Sequence, residues 1–385
     1  MKKILVFFMM FFVIFTVFAQ ENTQKNNQDV DIDTSQIIIP IKIGFDEVTA
    51  IADTSSTLVI AEDQKAGVAY NDGVTFFKQS QYDAAIISFS RSIEENPEFF
   101  KSYYGRGTAY IKNNDYKNAI DDINKYLTYR PTDGAAYYLK GYAEFYSHDH
   151  ESAVKSFIQA IEKNYINDAN LFYFYGVIEF NKAEYQNAID KFKEAVKVDP
   201  KHAFAYNDMA SSYRMLGKYP ESIANYQKAI EIDPARAFFY NNLGSAYRLN
   251  KEYDLAIQQY EKAVKMDPNY FQAINNIGVT LFEQGKYNEA LEAFNEVLSV
   301  KSDYAYSFNN IGLCYYVLKD YKSAIDAYNR AIVLNSFYAY AYMHRANAKE
   351  MLNDMTGACE DWEKARDLGL EIAEEYLSVC FEFKN

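Results

Sequence analysis

The chain has 385 residues and a formal charge of −14, from 39 Lys and Arg against 53 Asp and Glu. So acidic a protein repels phosphate backbones, which argues against nucleic acid as a general ligand. The three Cys are odd in number, and Cys314, Cys359 and Cys380 each stand where a small core hydrophobe would. One pair, such as Cys359–Cys380, could close in an oxidising compartment, and spacing alone does not decide it.

In chain order, the first element is residues 1–19. Lys2 and Lys3 precede an unbroken apolar run from Ile4 to Val17, and Ala19 stands before the polar Gln20, Glu21 and Asn22. A basic start, an apolar core and small residues before a polar stretch describe a secretory signal peptide cut after Ala19. The run is short for a membrane span of roughly 20 residues, so no integral span is expected after cleavage. No Cys follows to take a bacterial lipid anchor. The expected location of the exported chain is periplasmic or extracellular. Residues 20–65 read as a linker or arm. Gln20 to Asp29 is polar and expected to be disordered, whereas the β-branched, Pro-interrupted Ile37–Ile43 suits an extended strand. That strand would cover the first repeat, lie in the protein's own groove, or pair with a partner sheet.

A 34-residue pattern then fills residues 66–369, in units 66–99, 100–133, 134–168, 169–202, 203–236, 237–270, 271–304, 305–338 and 339–369. Gly recurs at place 8 (Gly73, Gly107, Gly141, Gly176, Gly244, Gly278, Gly312), and Ala follows at place 20 (Ala85, Ala119, Ala153, Ala188, Ala256, Ala290, Ala324). An aromatic usually stands at place 24, from Phe89 to Trp362, and Pro often closes the unit, as at Pro97 and Pro268. Small residues belong where two antiparallel helices approach closely, with the aromatic filling the gap toward the next unit. Pro stops the second helix because it lacks an N–H. A Tyr column at place 17, from Tyr82 to Tyr321, marks the turn between the helices. One extra residue between units 3 and 4 is a slip that a loop absorbs. Residues 370–385 spread Ile372, Ala373, Tyr376, Leu377 and Cys380 at helical spacing, which predicts a helix capping the exposed end of the stack.

Period and columns together resemble the tetratricopeptide repeat family, whose unit is a helix–turn–helix. The resemblance covers residue 66 to the C-terminus. It implies an all-α fold, a right-handed superhelical α-solenoid of about nine units with a C-terminal capping helix. It also implies a concave groove lined by the first helices, where such proteins hold a protein or peptide segment.

Places 2, 5, 9, 12 and 13 of each first helix share one face by their spacing. In repeats 1 to 4 that face is aromatic and apolar, with Tyr70, Phe77, Tyr104, Ile111, Tyr138, Tyr142, Phe145, Tyr146, Tyr173 and Phe180. In repeats 5 to 8 it turns polar. Place 5 carries Asn207, Asn241, Asn275 and Asn309, and place 6 carries Asp208, Asn242, Asn276 and Asn310. Asn is a mediocre helix former, so an in-register row needs a reason. Its amides either read a peptide backbone of any sequence or bond between neighbouring helices. The stretch 240–244 looks like the Asn ladder of O-linked N-acetylglucosaminyltransferase superhelices, although no glycosyltransferase domain is present. Ser211 with Arg214, and Ser245 with Arg248, repeat one unit apart. The two guanidinium groups suit carboxylates, unless each pairs with a local acid. The family's chaperone-tail clamp has Lys at place 5, and this chain has Asn there.

No phosphate-binding loop or nucleophile elbow is found, and no enzyme, cofactor or metal is expected. His148 and His150, in the turn of repeat 3, are the nearest approach to a metal site, and His150 stands in the Tyr column. The expected role is a non-enzymatic scaffold of a bacterial cell envelope that binds a partner segment in its groove. The alternative is a structural assembly subunit working through convex or terminal surfaces.

Overall fold

The structure, a computed structural model, describes residues 57–383. The signal segment 1–19 and the Ile37–Ile43 arm lie outside the described residues. Among the described residues there are nineteen helices and no strand. Contacts gather into two units that divide between Ser212 and Tyr213, inside the helix Ala203–Met215.

In the first unit, residues 57–212, the helices run α1 (Thr57–Lys78), α2 (Tyr82–Glu95), α3 (Phe100–Lys112), α4 (Tyr116–Tyr129), α5 (Gly134–Tyr146), α6 (His150–Glu162), α7 (Ala169–Asn181), α8 (Tyr185–Val198) and most of α9 (Ala203–Met215). In the second, residues 213–383, follow α10 (Tyr219–Ile232), α11 (Ala237–Leu249), α12 (Tyr253–Met266), α13 (Phe271–Glu283), α14 (Tyr287–Val300), α15 (Ala305–Val317), α16 (Tyr321–Leu334), α17 (Ala339–Met351), α18 (Met355–Asp367) and α19 (Ala373–Phe383). Odd-numbered helices up to α17 are the first helices of the repeats. Helix α1 is 22 residues long where α3 has 13. Residues 57–65, assigned from the sequence to the linker, extend the first helix because no Pro or Gly interrupts them.

Six of the nine helix pairs close on one contact, a place-24 ring on a place-8 Gly; repeat 2 has Ile123 for the ring, and repeats 5 and 9 have Ala210 and Ala346 for the Gly. A Cβ added to Gly73 would stand 2.7 Å from the ring of Phe89, one on Gly176 2.7 Å from Phe192, and one on Gly278 2.6 Å from Phe294. The place-24 ring therefore lies on the bare backbone of its own unit's place-8 Gly. It also faces the next unit in repeat 1, where a Cβ on Gly105 would come within 2.7 Å of Phe89. Phe89, Phe157, Phe192, Tyr226, Tyr260, Phe294 and Tyr328 are all fully buried.

The turn inside each repeat reverses through a left-handed residue at place 15. This column holds Ser80, Asn114, His148, Ala183, Gly217, Lys251, Gly285, Lys319 and Asn353, all with φ between 59° and 78°. The N–H at place 16 then reaches back to place 11, as in Gln81 N to Phe76 O at 2.9 Å, a Schellman closure. The extra residue of unit 3 uses the same device at the other end of a helix. Asn164 has φ of 63°, its N–H bonds Ile161 O at 2.9 Å, and Tyr165 N bonds Ala160 O at 3.0 Å. That slip lays Tyr165 on Tyr138, with ring centroids 5.4 Å apart.

The predicted cap forms as α19, whose Ala373, Leu377 and Cys380 pack on Ala358, Cys359, Trp362 and Ala365. A disulfide joins Cys359 of α18 to Cys380 of α19, and Cys314 stays a buried thiol.

Two outcomes are expected. Ala183→Gly places a residue without Cβ at φ of 62° and should raise stability by about 0.5–1 kcal/mol in a urea titration. Cys359→Ala/Cys380→Ala opens a loop with a sequence separation of 21 and should cost about 3 kcal/mol. Because repeats couple mainly to neighbours, amide exchange should quicken in α18 and α19 and leave α11 to α14 protected.

Candidate partner-binding site

The first helices position the polar face, and the structure places most of it between repeats. Residues 35 apart meet across successive units, so place 6 of one repeat reaches place 5 of the one before. Asn276 Nδ2 donates to Asn241 Oδ1 at 3.0 Å, and Asn310 Nδ2 donates to Asn275 Oδ1 at 3.3 Å. His344 Nδ1 lies 2.8 Å from Asn309 Oδ1, which fits the tautomer carrying its proton on Nδ1. In the first unit Tyr173 OH donates to Asp208 Oδ2 at 2.8 Å, and Asn207 Nδ2 donates to Asp208 Oδ1 at 2.8 Å. Asn275, Asn276, Asn309 and Asn310 are all buried, while Asn241 and Asn242 are half-buried. The place-5 oxygens of Asn241, Asn275 and Asn309, expected to read a partner's backbone, thus face the neighbouring repeat, because the i to i+35 spacing brings an amide to the first two and an imidazole to the third.

The hydroxyls are also used locally. Ser211 Oγ donates to Asn207 O at 3.2 Å and Ser245 Oγ to Asn241 O at 3.1 Å. Tyr260 OH donates to Ser245 Oγ at 3.2 Å.

The aromatic half is a correction. Tyr138 and Tyr173 are buried, as are Phe145 and Phe180, so these four present almost no groove surface. Place 12 packs edge-on against the turn aromatic at place 17: Phe180 on Tyr185 at 5.3 Å, Phe282 on Tyr287 at 5.1 Å, Tyr316 on Tyr321 at 5.4 Å. His150 fills that column in repeat 3, 5.4 Å from Phe145. Phe174 of α7 closes the face by inserting against Tyr142, Phe145 and Tyr146, with centroids 5.2, 5.0 and 5.9 Å away. Tyr142 and Tyr146 stay half-buried.

Repeats 5 and 6 put Arg at the place-12 position that repeats 1, 3, 4, 7 and 8 give to an aromatic. Arg248 Nη1 pairs with Glu283 Oε1 at 2.5 Å, one repeat on, leaving its Nε and Nη2 without partners. Burial opposes the charge on Arg248, and Glu283 with Tyr260 outweighs it, so the guanidinium pKa lies above its ordinary value. Arg214 is 5% exposed, and its Nε has no partner.

Sequence reasoning missed Glu283 because its link to Arg248 appears only once the 35-residue offset is known. It also missed two bidentate forks. Arg106 grips Asp122 at 2.7 and 2.8 Å and reaches Ser90 at 3.0 Å. Arg345 repeats the pattern on Asp361 at 2.8 and 2.6 Å and Asn329 at 2.6 Å. A place-7 Arg matched to a place-23 Asp was the available signal.

Two buried groups give opposite pH dependence. Burial raises the Asp208 carboxyl to about 7 from 3.8, outweighing the hydrogen bonds from Tyr173 and Asn207. The folded state holds this proton more tightly, so the stability it adds at low pH is lost as pH rises through about 7. Asp208→Asn, the residue that repeats 6 to 8 carry at this place, should raise the unfolding midpoint at pH 8 and hardly move it at pH 4. Equal shifts at both would show that the carboxyl is not held neutral. Burial lowers His344 to about 3 from 6.5, so its contribution is lost as pH falls through that range, and His344→Asn should flatten the acid limb.

Comparison with known proteins follows the same architecture. Family models described as "Tetratricopeptide repeat" match residues 70–136, 138–203 and 269–334, and one described as "TPR repeat" matches 210–251 and 244–285. A comparison with curated protein sequences finds no match. Among solved structures, a tetratricopeptide repeat protein from Parabacteroides merdae is 20% identical, with a TM-score of 0.55, over 64% of this chain and 98% of that one. The C-terminal part of a TPR repeat-containing protein from Cytophaga hutchinsonii is also 20% identical, with a TM-score of 0.53, over 63% of this chain and 98% of that one. Those likenesses show the fold. With family matches running from residue 70 to residue 334, the chain belongs to the tetratricopeptide repeat family.

Proposed function

We propose that the protein is an exported, non-enzymatic scaffold of the cell envelope, holding a segment of a partner protein against the first helices of residues 213–383. The observation that carries this reading is a set of buried polar atoms with nothing to bond. Arg214 Nε and Arg248 Nε and Nη2 sit on first helices and lack partners. A buried donor without a partner costs roughly 1–3 kcal/mol, and a bound segment would relieve that cost. Export is supported by the Cys359–Cys380 bond, since such bonds persist in oxidising compartments, and by the leader pattern of residues 1–19. No helix among the described residues is long and apolar enough to cross a membrane.

One observation favours the second reading, an assembly subunit. Val333 is 84% and Phe337 80% exposed, at places where repeats 1, 2 and 4 to 7 carry polar, charged or small residues such as Glu94, Lys265, Glu98 and Asp303. A partner surface covering both would remove that apolar area from water.

Crosslinking and capture from envelope fractions separates the two. Phe238→Ala/Tyr306→Ala alters half-buried place-2 residues of the first helices, while Val333→Asp/Phe337→Asp alters the outer pair. Loss of the captured partner with the first variant and retention with the second is the expected result. The reverse pattern would establish the assembly reading instead.

A further inference from the structure

The offset of 35 residues that pairs Arg248 with Glu283 lands on Leu249 when applied to Arg214. The fold therefore supplies a carboxylate to the second Arg of the column and an aliphatic chain to the first. Arg214 is 5% exposed, its Nε is unpartnered, and no described residue forms an ion pair with it. A buried cation without a counter-charge is expensive. It is also avoidable, since the same place holds Phe180, Phe282 or Tyr316 in other repeats. We propose that Arg214 is the seat for one carboxylate of the bound segment, and that the Arg248–Glu283 pair is a filled copy of the same seat.

This deepens the reading given above and rests on it. It also narrows the sequence-based expectation of two open guanidinium groups to one. Arg248 already has its acid, so the second unit accepts a single carboxylate. The filled copy sets the chemistry, because Glu283 presents a carboxylate at 2.5 Å to a guanidinium in the same column. A planar guanidinium fork matches a carboxylate in geometry as well as in charge. That carboxylate can come from an Asp or Glu side chain or from a chain terminus.

The test uses the mature chain and a random dodecapeptide display library, in free-acid and C-terminally amidated forms. Three proteins are compared: wild type, Arg214→Phe and Leu249→Glu. Arg214→Phe installs the type of residue that repeats 4 and 7 carry at this place, and Leu249→Glu supplies the acid that Glu283 supplies one repeat later. Wild type should enrich peptides with an acidic group at a fixed position, and a selected peptide should bind at least tenfold more tightly than its amide twin (Gln for Glu, or an amidated end). Both variants should lose that preference, and Leu249→Glu should gain thermal stability. If acidity survives amidation of the library, the side chain is the source, and if it vanishes, the terminus is. Peptides enriched without acid preference, or a preference surviving both variants, would overturn the Arg214 seat and leave the binding face standing. Enrichment of no peptide would overturn both.

Discussion

An aromatic ring lying on the bare backbone of a glycine holds six of the nine helix pairs closed, and the rest of the structure depends on that contact. At 2.6–2.7 Å from ring carbons in most repeats, the space for a Cβ is already taken, so place 8 tolerates little beyond Gly or Ala. The close approach also fixes the inclination of the first helix to the second. Once that angle repeats, the next unit arrives in the same register, and residues 35 apart meet along the stack.

That register explains why buried polar groups are tolerated on the inner face. Asn276 and Asn310 at place 6 each meet a place-5 carbonyl in the preceding repeat, and a satisfied amide in low dielectric stabilises rather than strains. The same lattice accepts substitutions of type so long as hydrogen bonding survives, which is why Tyr173 with Asp208 and Asn309 with His344 stand among Asn pairs. Departures matter more than members. Asp208 has a carboxyl that burial raises to about 7, where Asn would not titrate, and Arg214 carries a charge that no described residue pairs.

Repeats 2 and 9 share a closure that the others lack. Arg106 and Arg345, in repeats 2 and 9, each fork onto an Asp within their own unit and touch the preceding one. At the C-terminal end the disulfide adds a covalent tie between the last repeat and its cap. The last repeat has no further repeat after it to pack on, so tighter polar and covalent closure there is physically consistent.

The sequence by itself determined the period, the small and aromatic columns and the cap, because these follow from local sterics repeated in register. It also showed that the inner face changes character after repeat 4. Only the tertiary structure decided which of those inner residues are available. Tyr138 and Phe145 share a helix face with Tyr142, and Tyr173 and Phe180 stand at the same places one repeat on, yet these four are buried, with Phe174 on Phe145 and Tyr185 on Phe180. Arg214 and Arg248 occupy one column, and only the second finds an acid. Helical spacing fixes which side chains share a face, whereas the identity of the group 35 residues away decides whether that face is closed, satisfied or open.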